Sequence, residues 1–181
     1  MDLSNIMTHY KKQWGDFSIN KLEKGPVHEL PKGFCVLKFA PTRKRNMWTY
    51  ATCGMSQEFD SSIIELHMFS PNENDFIIEL LTVVAHYHKT GLRLGLGHTV
   101  NFGTPWHKDS LCNYGMISLP YLDGPALEWL ITQNVTIRFL WLKPITTEEV
   151  KFIKQNGLEA LEELFDKYEY NYLDYFRKSV I

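Results

Sequence analysis

The sequence lacks an excess of charge of either sign, because 19 Lys and Arg stand against 21 Asp and Glu among its 181 residues. A dedicated nucleic-acid-binding protein is normally basic, so we expect no direct contact with nucleic acid. Long hydrophobic runs are also missing. The most apolar stretch, residues 76–85, is interrupted by Glu79 and is shorter than the roughly 20 residues of a membrane helix, which predicts no membrane partner.

Signals for export and for disulfide bonding are equally sparse. The N-terminus has no basic region followed by an apolar one, so we expect no signal peptide and a cytoplasmic location. Cys35, Cys53 and Cys112 are odd in number and widely spaced, without a Cys-x-x-Cys pair. This spacing excludes a zinc ribbon or thioredoxin-like motif and predicts free, buried thiols.

Signatures of catalysis are absent too. The run 94–98 contains Gly-x-Gly without the third glycine of a dinucleotide fingerprint, so its glycines are interpreted as a bend. The sequence has no Gly-x-Ser-x-Gly elbow and no His-Glu-x-x-His motif, and its carboxylates are not grouped. We therefore expect a protein that is not an enzyme and that binds no cofactor or metal. A metal-dependent hydrolase remains an alternative, with ligands drawn from His67, His86, His88 and His98.

Aromatic residues, by contrast, are plentiful at 14% of the chain. Such side chains serve a packed core and a protein-binding surface equally well. Five of them lie in predicted strands or on a predicted helix stripe and are expected in the core: Trp48, Tyr50, Phe76, Phe139 and Trp141.

Alternation and turn residues predict strands at residues 34–40, 47–53, 61–69 and 135–142, and a strand–loop–strand unit within 92–118. The 61–69 segment alternates between apolar and polar residues, which predicts burial on one face only. The last strand is expected to end at Pro144. The basic run 42–46 is interpreted as a solvated hairpin tip, although beside Trp48 it could also grip a phosphate backbone.

Helix-start signals occur twice. Ser70, Pro71 and Glu73 predict the beginning of a helix that ends at Gly91. Thr146 and Glu149 form a second capping box, and the helix that follows is closed by Asn156-Gly157 before another over 158–167. Strands interspersed with about three helices predict an α+β domain with a largely antiparallel or mixed sheet. No linker is apparent, so we expect one domain over 1–181, with an amphipathic lead-in over 1–24.

Several ordered stretches resemble the suppressor of fused (SUFU) domain family. In chain order they are Trp48–Thr52, Gly54–Ser56, Glu65–His67, Phe69–Pro71, Ala85–His88, Gly97–Gly103, Pro105-Trp106, Ser118–Pro125, Glu128–Leu130, Phe139–Leu142, Pro144–Thr146 and Gly157–Glu162. The resemblance extends from about Phe34 to the end of the chain.

The resemblance implies protein binding without catalysis. Animal members are intracellular inhibitors in Hedgehog signalling that retain a transcription factor, and they carry a further C-terminal domain for which this chain has no room. Stand-alone bacterial members resemble immunity proteins, or antitoxins, of polymorphic toxin systems, where each neutralises a cognate toxin that is often a nuclease. The bacterial role is the favoured expectation, and a signalling scaffold is the alternative.

The residues expected to contact a partner come from these motifs and from the aromatic-rich loop at residues 101–106. In the animal branch the partner is gripped near the helix end and the following loop, to which Tyr87 and Gly97-His98 are the nearest positions here. The predicted partner-binding residues are Tyr87, His98, Asn101, Phe102, Trp106, Tyr121 and Asp123.

Overall fold

A computed structural model describes residues 3–57 and 63–181 of the chain. Five helices, α1 to α5, lie at Leu3–Trp14, Phe76–Thr90, Pro125–Glu128, Thr147–Asn156 and Leu158–Lys167. Eight strands, β1 to β8, lie at Ser18–Asn20, Cys35–Phe39, Trp48–Cys53, Ile64–Ser70, Thr99–Asn101, Cys112–Ser118, Trp129–Ile131 and Thr136–Thr146. Short 3-10 turns occur at Pro26–Glu29 and Met55–Gln57.

The eight strands form one mixed sheet in the order β1-β2-β3-β4-β8-β6-β5, with β7 beside β8. Strands β4 and β8 are parallel, with Leu66 opposite Leu140, whereas the other neighbouring pairs are antiparallel. The central strand β8 therefore has β4 along one side and β7 followed by β6 along the other. The predicted α+β fold with a mixed sheet is confirmed.

Helices cover both faces of this sheet. On one face α2 packs Leu81 and Val84 against Leu66 and Leu140. On the other face α1 packs over β2, β3 and the first half of β8, and α4 and α5 cover β6 and the second half of β8. Strand β4 is consequently buried at every residue, so the prediction that only one of its faces is buried was wrong. The first two residues of the predicted 61–69 strand lie outside the described part of the chain.

The N-terminal segment belongs to the core. Tyr10 stacks on Trp14 with ring centroids 4.9 Å apart, and its edge meets Phe139 at 4.9 Å. Ile6 and Tyr10 are fully buried. Burying a large apolar side chain contributes roughly 1.5–3 kcal/mol, so the predicted lead-in adds substantially to stability through α1.

The predicted start of α2 was wrong by about five residues. Ser70 is the last residue of β4 and pairs with Trp48, so it is held extended and cannot cap a helix. Lys38 on β2 binds the carboxylates of Glu73 and Asp75 at 2.6 and 3.0 Å, and the helix begins at Phe76. The end of α2 at Gly91 agrees with the prediction.

The last strand was predicted to end at Pro144. This was wrong, because β8 continues through Pro144 to Thr146. Strand β4 pairs with β8 only as far as Trp141, so no described strand lies beside Pro144 on that side. The carbonyl of Pro144 points to this open side and accepts a hydrogen bond from Arg177. The missing N–H therefore costs no ladder hydrogen bond. The capping box of Thr146 and Glu149 is formed as predicted, and α5 occupies residues 158–167.

Most of the predicted core aromatics are buried. Tyr50, Phe139 and Trp141 are buried, whereas Trp48 and Phe76 are only half-buried, so the core prediction was too strong for these two. All three cysteines are free and buried, as predicted. Over the described residues, none of the helices has the length and apolarity needed to cross a bilayer.

Candidate functional site

Strand β5 is an edge of the sheet, and it carries or adjoins three predicted binding residues: His98, Asn101 and Phe102. The N–H of Ile117 donates to His98 at 2.9 Å, and that of Phe102 donates to Asn113 at 3.0 Å. Alternate residues bond across an antiparallel pair, so Thr99 and Asn101 direct their N–H and C=O groups away from β6. No strand of the described chain lies on that side, which leaves β5 open to a further strand.

Exposed side chains occur at the end of α2 and along the 98–101 segment. Tyr87 at the end of α2 is 42% exposed, and His98 and Asn101 are also exposed. Gly97 has a φ of +83° and donates its N–H to Ile117 at 2.8 Å, so the chain bends there as the interpretation of the Gly-x-Gly run expected. The side chains of Tyr87, His98 and Asn101 are therefore accessible to a partner.

Trp129 on β7 extends this exposed region, and sequence analysis missed it as a site residue. Its indole is 43% exposed, has the Arg138 guanidinium 4.9 Å from its ring centroid, and lines a depression of about 350 Å³ together with Leu96. The only sequence signal was its place in the Glu128–Leu130 stretch of the family resemblance. We call Leu96, His98, Thr99, Asn101 and Trp129 together the edge surface.

Phe102 packs against β6, so only part of its ring is accessible to a partner. Its side chain is half-buried and crosses Gly115 on β6, where an added Cβ would lie 2.6 Å from the ring and 2.5 Å from Leu142. A glycine at this position lets an aromatic ring pack directly on the strand backbone.

Substituting Gly115 with Ala is therefore expected to destabilise the protein by about 1–3 kcal/mol, the usual cost of overpacking. Urea denaturation measures the change in unfolding free energy. Gly103→Ala is the comparison variant. An added Cβ there meets nothing within 4 Å, so it causes no overpacking, but the φ of +75° means that it tests the strain of a left-handed backbone alone. Equal or greater stability of Gly115→Ala than of the wild type would contradict this account.

Trp106 lies inside the molecule, so the expectation that it contacts a partner was wrong. It is 1% exposed, donates its indole N–H to Ser110 at 3.2 Å, and packs 4.8 Å from the ring of Tyr175. The C-terminal segment covers it, and its function is to support the 103–111 loop from within.

The carboxylate of Asp123 is bound by other residues of the same chain. It forms an ion pair with Arg45 and accepts the indole N–H of Trp14 at 2.8 Å. The Arg45 guanidinium lies 5.2 Å from the Trp14 ring and 5.1 Å from that of Phe69. The basic loop is thus joined to α1 and the 119–124 turn, and the interpretation of Arg45 as part of a solvated tip was wrong.

Tyr121 is exposed but contacts a different part of the molecule. Its hydroxyl donates to Glu162 on α5 at 2.9 Å, and the Lys143 ammonium lies 4.9 Å from its ring. Burial, with the neighbouring Glu162 carboxylate, raises the pKa of Tyr121 to about 12. The predicted site residues therefore do not form one surface.

The four histidines considered for metal binding have four separate environments. His67 is buried among aromatic rings, and His98 is exposed. His86 contacts Glu29 at 2.6 Å, and Nδ1 of the buried His88 accepts the Leu94 N–H at 2.9 Å. Within residues 3–57 and 63–181, no group of three or more His, Cys, Asp or Glu side chains could hold a metal ion.

A mixed sheet covered by helices, an open edge strand and exposed aromatic side chains are features through which proteins bind extended segments of a partner. The chain matches the profile described as suppressor of fused protein (SUFU) over residues 31–178. It therefore belongs to the SUFU family, as the sequence motifs predicted.

Solved structures agree with this assignment. The crystal structure of a SUFU homolog from Neisseria gonorrhoeae FA 1090 matches with a TM-score of 0.85 and 32% identity, covering 98% of this chain and 96% of that chain. The Sufu-Fu complex structure matches at a TM-score of 0.71 and 15% identity, covering 98% and 91%.

Drosophila Suppressor of Fused matches at a TM-score of 0.65 and 15% identity; the match covers 98% of this chain and 50% of that chain. This chain thus spans about half the length of the Drosophila protein. A comparison with curated proteins found no match. The family is one of non-enzymatic binding proteins, and the two likenesses at 15% identity show the fold alone.

Proposed function

We propose that this protein is a bacterial immunity protein, or antitoxin, that binds a cognate toxin in the cytoplasm and neutralises it without catalysis. The observation that carries the proposal is the open edge of β5 beside exposed side chains. Membership of the SUFU family and the likeness to a bacterial homolog support a binding role.

An open edge strand binds protein by adding a strand from the partner. The outward N–H and C=O groups of Thr99 and Asn101 would supply the main-chain hydrogen bonds. The side chains of His98 and Trp129 would then select the partner's sequence, whereas Thr99 would contribute only its main chain. Aromatic anchors surrounded by polar groups are typical of such contacts.

A related complex lends further support. One matched structure is that of Sufu bound to Fu, so a protein with this fold forms a complex with another protein. A stoichiometric inhibitor needs a preformed surface and no reacting groups. Among the described residues, the histidines considered as metal ligands lie in separate environments, which is consistent with that requirement.

Co-expression with the toxin encoded beside this gene tests the proposal. We expect the wild-type chain to restore growth and to co-purify with the toxin in a defined ratio. If the neighbouring genes encode no toxin, or if the chain neither protects the cell nor retains that protein, the antitoxin role is wrong.

Replacing Thr99 with Pro tests the edge itself. The Thr99 N–H points outward, so Pro removes a donor from the open side without breaking the β5–β6 ladder. We expect affinity for the toxin to fall at least tenfold, measured by isothermal titration calorimetry, and protection of the cell to weaken in parallel.

Thr99→Val is the matched control, because it alters the side chain and keeps the N–H. Its affinity should stay within twofold of the wild type. If Thr99→Pro keeps the wild-type thermal unfolding temperature and also binds normally, the partner does not add a strand to β5.

A further inference from the structure

Another concave surface lies between the 119–124 turn, β8 and α5, and it shares no lining residue with the edge surface. It has a volume of about 420 Å³, and its walls include the rings of Tyr121, Trp141 and Phe165. We call it the α5 groove. The proposed edge contact does not use it, and Tyr121 is the only predicted binding residue that lines it.

Lys143 on β8 forms the floor of the α5 groove. Its side chain is only 7% exposed, and its ammonium lies 4.5 Å from the Trp141 ring and 4.9 Å from that of Tyr121. The nearest carboxylate oxygen, on Glu162, is 3.9 Å away, which is too far for a hydrogen bond. The ammonium therefore retains N–H donors for an acceptor that enters the groove.

Carboxylates line the rim. Glu162 is held in place by the hydroxyls of Ser118 and Tyr121, while Asp166 and Glu169 are exposed. All three line the groove together with Lys143, so three carboxylates face one ammonium. Aromatic rings and surplus negative charge in one groove favour a cationic side chain.

The ion pairs around the groove do not alter this balance. Arg45 and Asp123 do not line the groove and form an ion pair with each other. Lys167, the basic residue in the last turn of α5, does not line the groove, and its ammonium lies 5.1 Å from the Tyr168 ring. Arg177, near the rings of Phe165 and Tyr170, is paired with Glu149. Among the residues that line the groove, three carboxylates therefore stand against one ammonium.

We propose that the α5 groove binds an arginine or lysine side chain carried by an extended segment of a protein partner. The cationic group lies on the Tyr121 ring between the rim carboxylates, and Lys143 donates a hydrogen bond to a main-chain carbonyl of the same segment. This inference rests on the groove alone and holds whether or not the partner is a toxin.

The test uses blocked pentapeptides and the whole protein. Acetyl-Gly-Gly-Arg-Gly-Gly-amide is titrated into ¹⁵N-labelled protein, and the indole N–H signal of Trp141, assigned with Trp141→Phe, reports binding by NMR. We expect a saturable shift of this signal. The same peptide with citrulline, a neutral isostere of arginine, should bind at least fivefold more weakly.

Paired variants separate the groove from general electrostatic attraction. Asp166→Asn with Glu169→Gln should weaken binding of the arginine peptide at least fivefold. Glu163→Gln, an exposed carboxylate on the same helix that does not line the groove, should change it less than twofold. Equal effects of the two sets, or equal binding of the citrulline peptide, would overturn the proposal.

Two further variants complete the design. Lys143→Met should weaken the arginine peptide at least threefold even though it makes the groove more negative; unchanged or tighter binding would refute the donor role of Lys143. Thr99→Pro should leave peptide binding in the groove unchanged. A loss there would place the peptide on the edge surface instead and overturn the proposal.

Discussion

Replacing Arg177 with Met is expected to lower the free energy of unfolding by about 3–5 kcal/mol, the cost of breaking a buried ion pair. Arg177 makes a two-point contact with Glu149 at 2.7 Å for each bond, and it donates to the Pro144 carbonyl at 2.9 Å. Glu149 is fully buried, and Arg177 is 8% exposed.

The large loss of stability arises because the substitution leaves the buried Glu149 carboxylate without its positive partner. The Glu149 carboxylate would keep its bond from the Thr146 N–H but lose its counter-ion in a site without water access. The same pair attaches the C-terminal segment to α4, because the Val180 N–H also donates to Glu149 at 3.2 Å. Loss of Arg177 should therefore also loosen the residues that cover Trp106.

Urea denaturation followed by circular dichroism measures the change. Lys178→Met, at the exposed neighbouring residue, is the matched control and should stay within about 0.5 kcal/mol of the wild type. A double variant that also replaces Glu149 by Gln should lose less than the sum of the single losses. A loss below about 1 kcal/mol for Arg177→Met would contradict the importance of this pair.

Acidification below about pH 6.5, the ordinary pKa of histidine, is expected to destabilise the wild-type protein through His67. This side chain is fully buried, and neither ring nitrogen has a hydrogen-bond partner among the described residues. The Trp14 and Phe69 rings lie 5.2 and 5.1 Å from it.

The sign of the effect follows from the pKa. Burial, and secondarily the Arg45 charge, hold the pKa of His67 in the folded protein well below its ordinary value. The unfolded chain therefore binds a proton at a higher pH than the folded protein does. The stabilisation is complete above about pH 6.5 and declines as the pH falls, with a slope approaching about 1.4 kcal/mol per pH unit for this one group.

His67→Phe should remove this component of the pH dependence. At pH 7.5 the variant should be as stable as the wild type or more so, because Phe fits an aromatic site and leaves no polar nitrogen unpaired. Unfolding free energies at pH 7.5, 6.5 and 5.5 measure both effects. His98→Gln, at an exposed histidine, should keep the wild-type slope; an unchanged slope in His67→Phe would exclude His67 as the cause.

Predictions from the sequence succeeded where short-range chemistry decides the outcome. The capping box of Thr146 and Glu149 and the helix end at Gly91 depend on residues within one turn of each other, so local sequence was sufficient. The start of α2 failed because Ser70 is held by β3 and Lys38 binds Glu73 and Asp75 from another strand. Such long-range contacts leave no local pattern.

For the candidate site, too, some residues could be predicted from the sequence and others only from long-range contacts. Family motifs in the sequence pointed to Tyr87 and the Gly97–Gly103 stretch, and the structure places exposed side chains there. Trp106 occurs in an adjoining motif but is covered by Tyr175, which lies far along the chain. Trp129 became a candidate only because β7 places its indole in the same depression as Leu96.

The ordered motifs of the sequence predicted the family and, through it, a binding protein, whereas the near-neutral charge and the separated cysteines only argued against other classes. Only the tertiary structure decided where binding can occur. Which strand forms an edge depends on the order of strands in the sheet, and the α5 groove joins residues from three separate segments. Distances across a fold are not encoded in spacing along the chain, because the pairing of distant segments brings these side chains together.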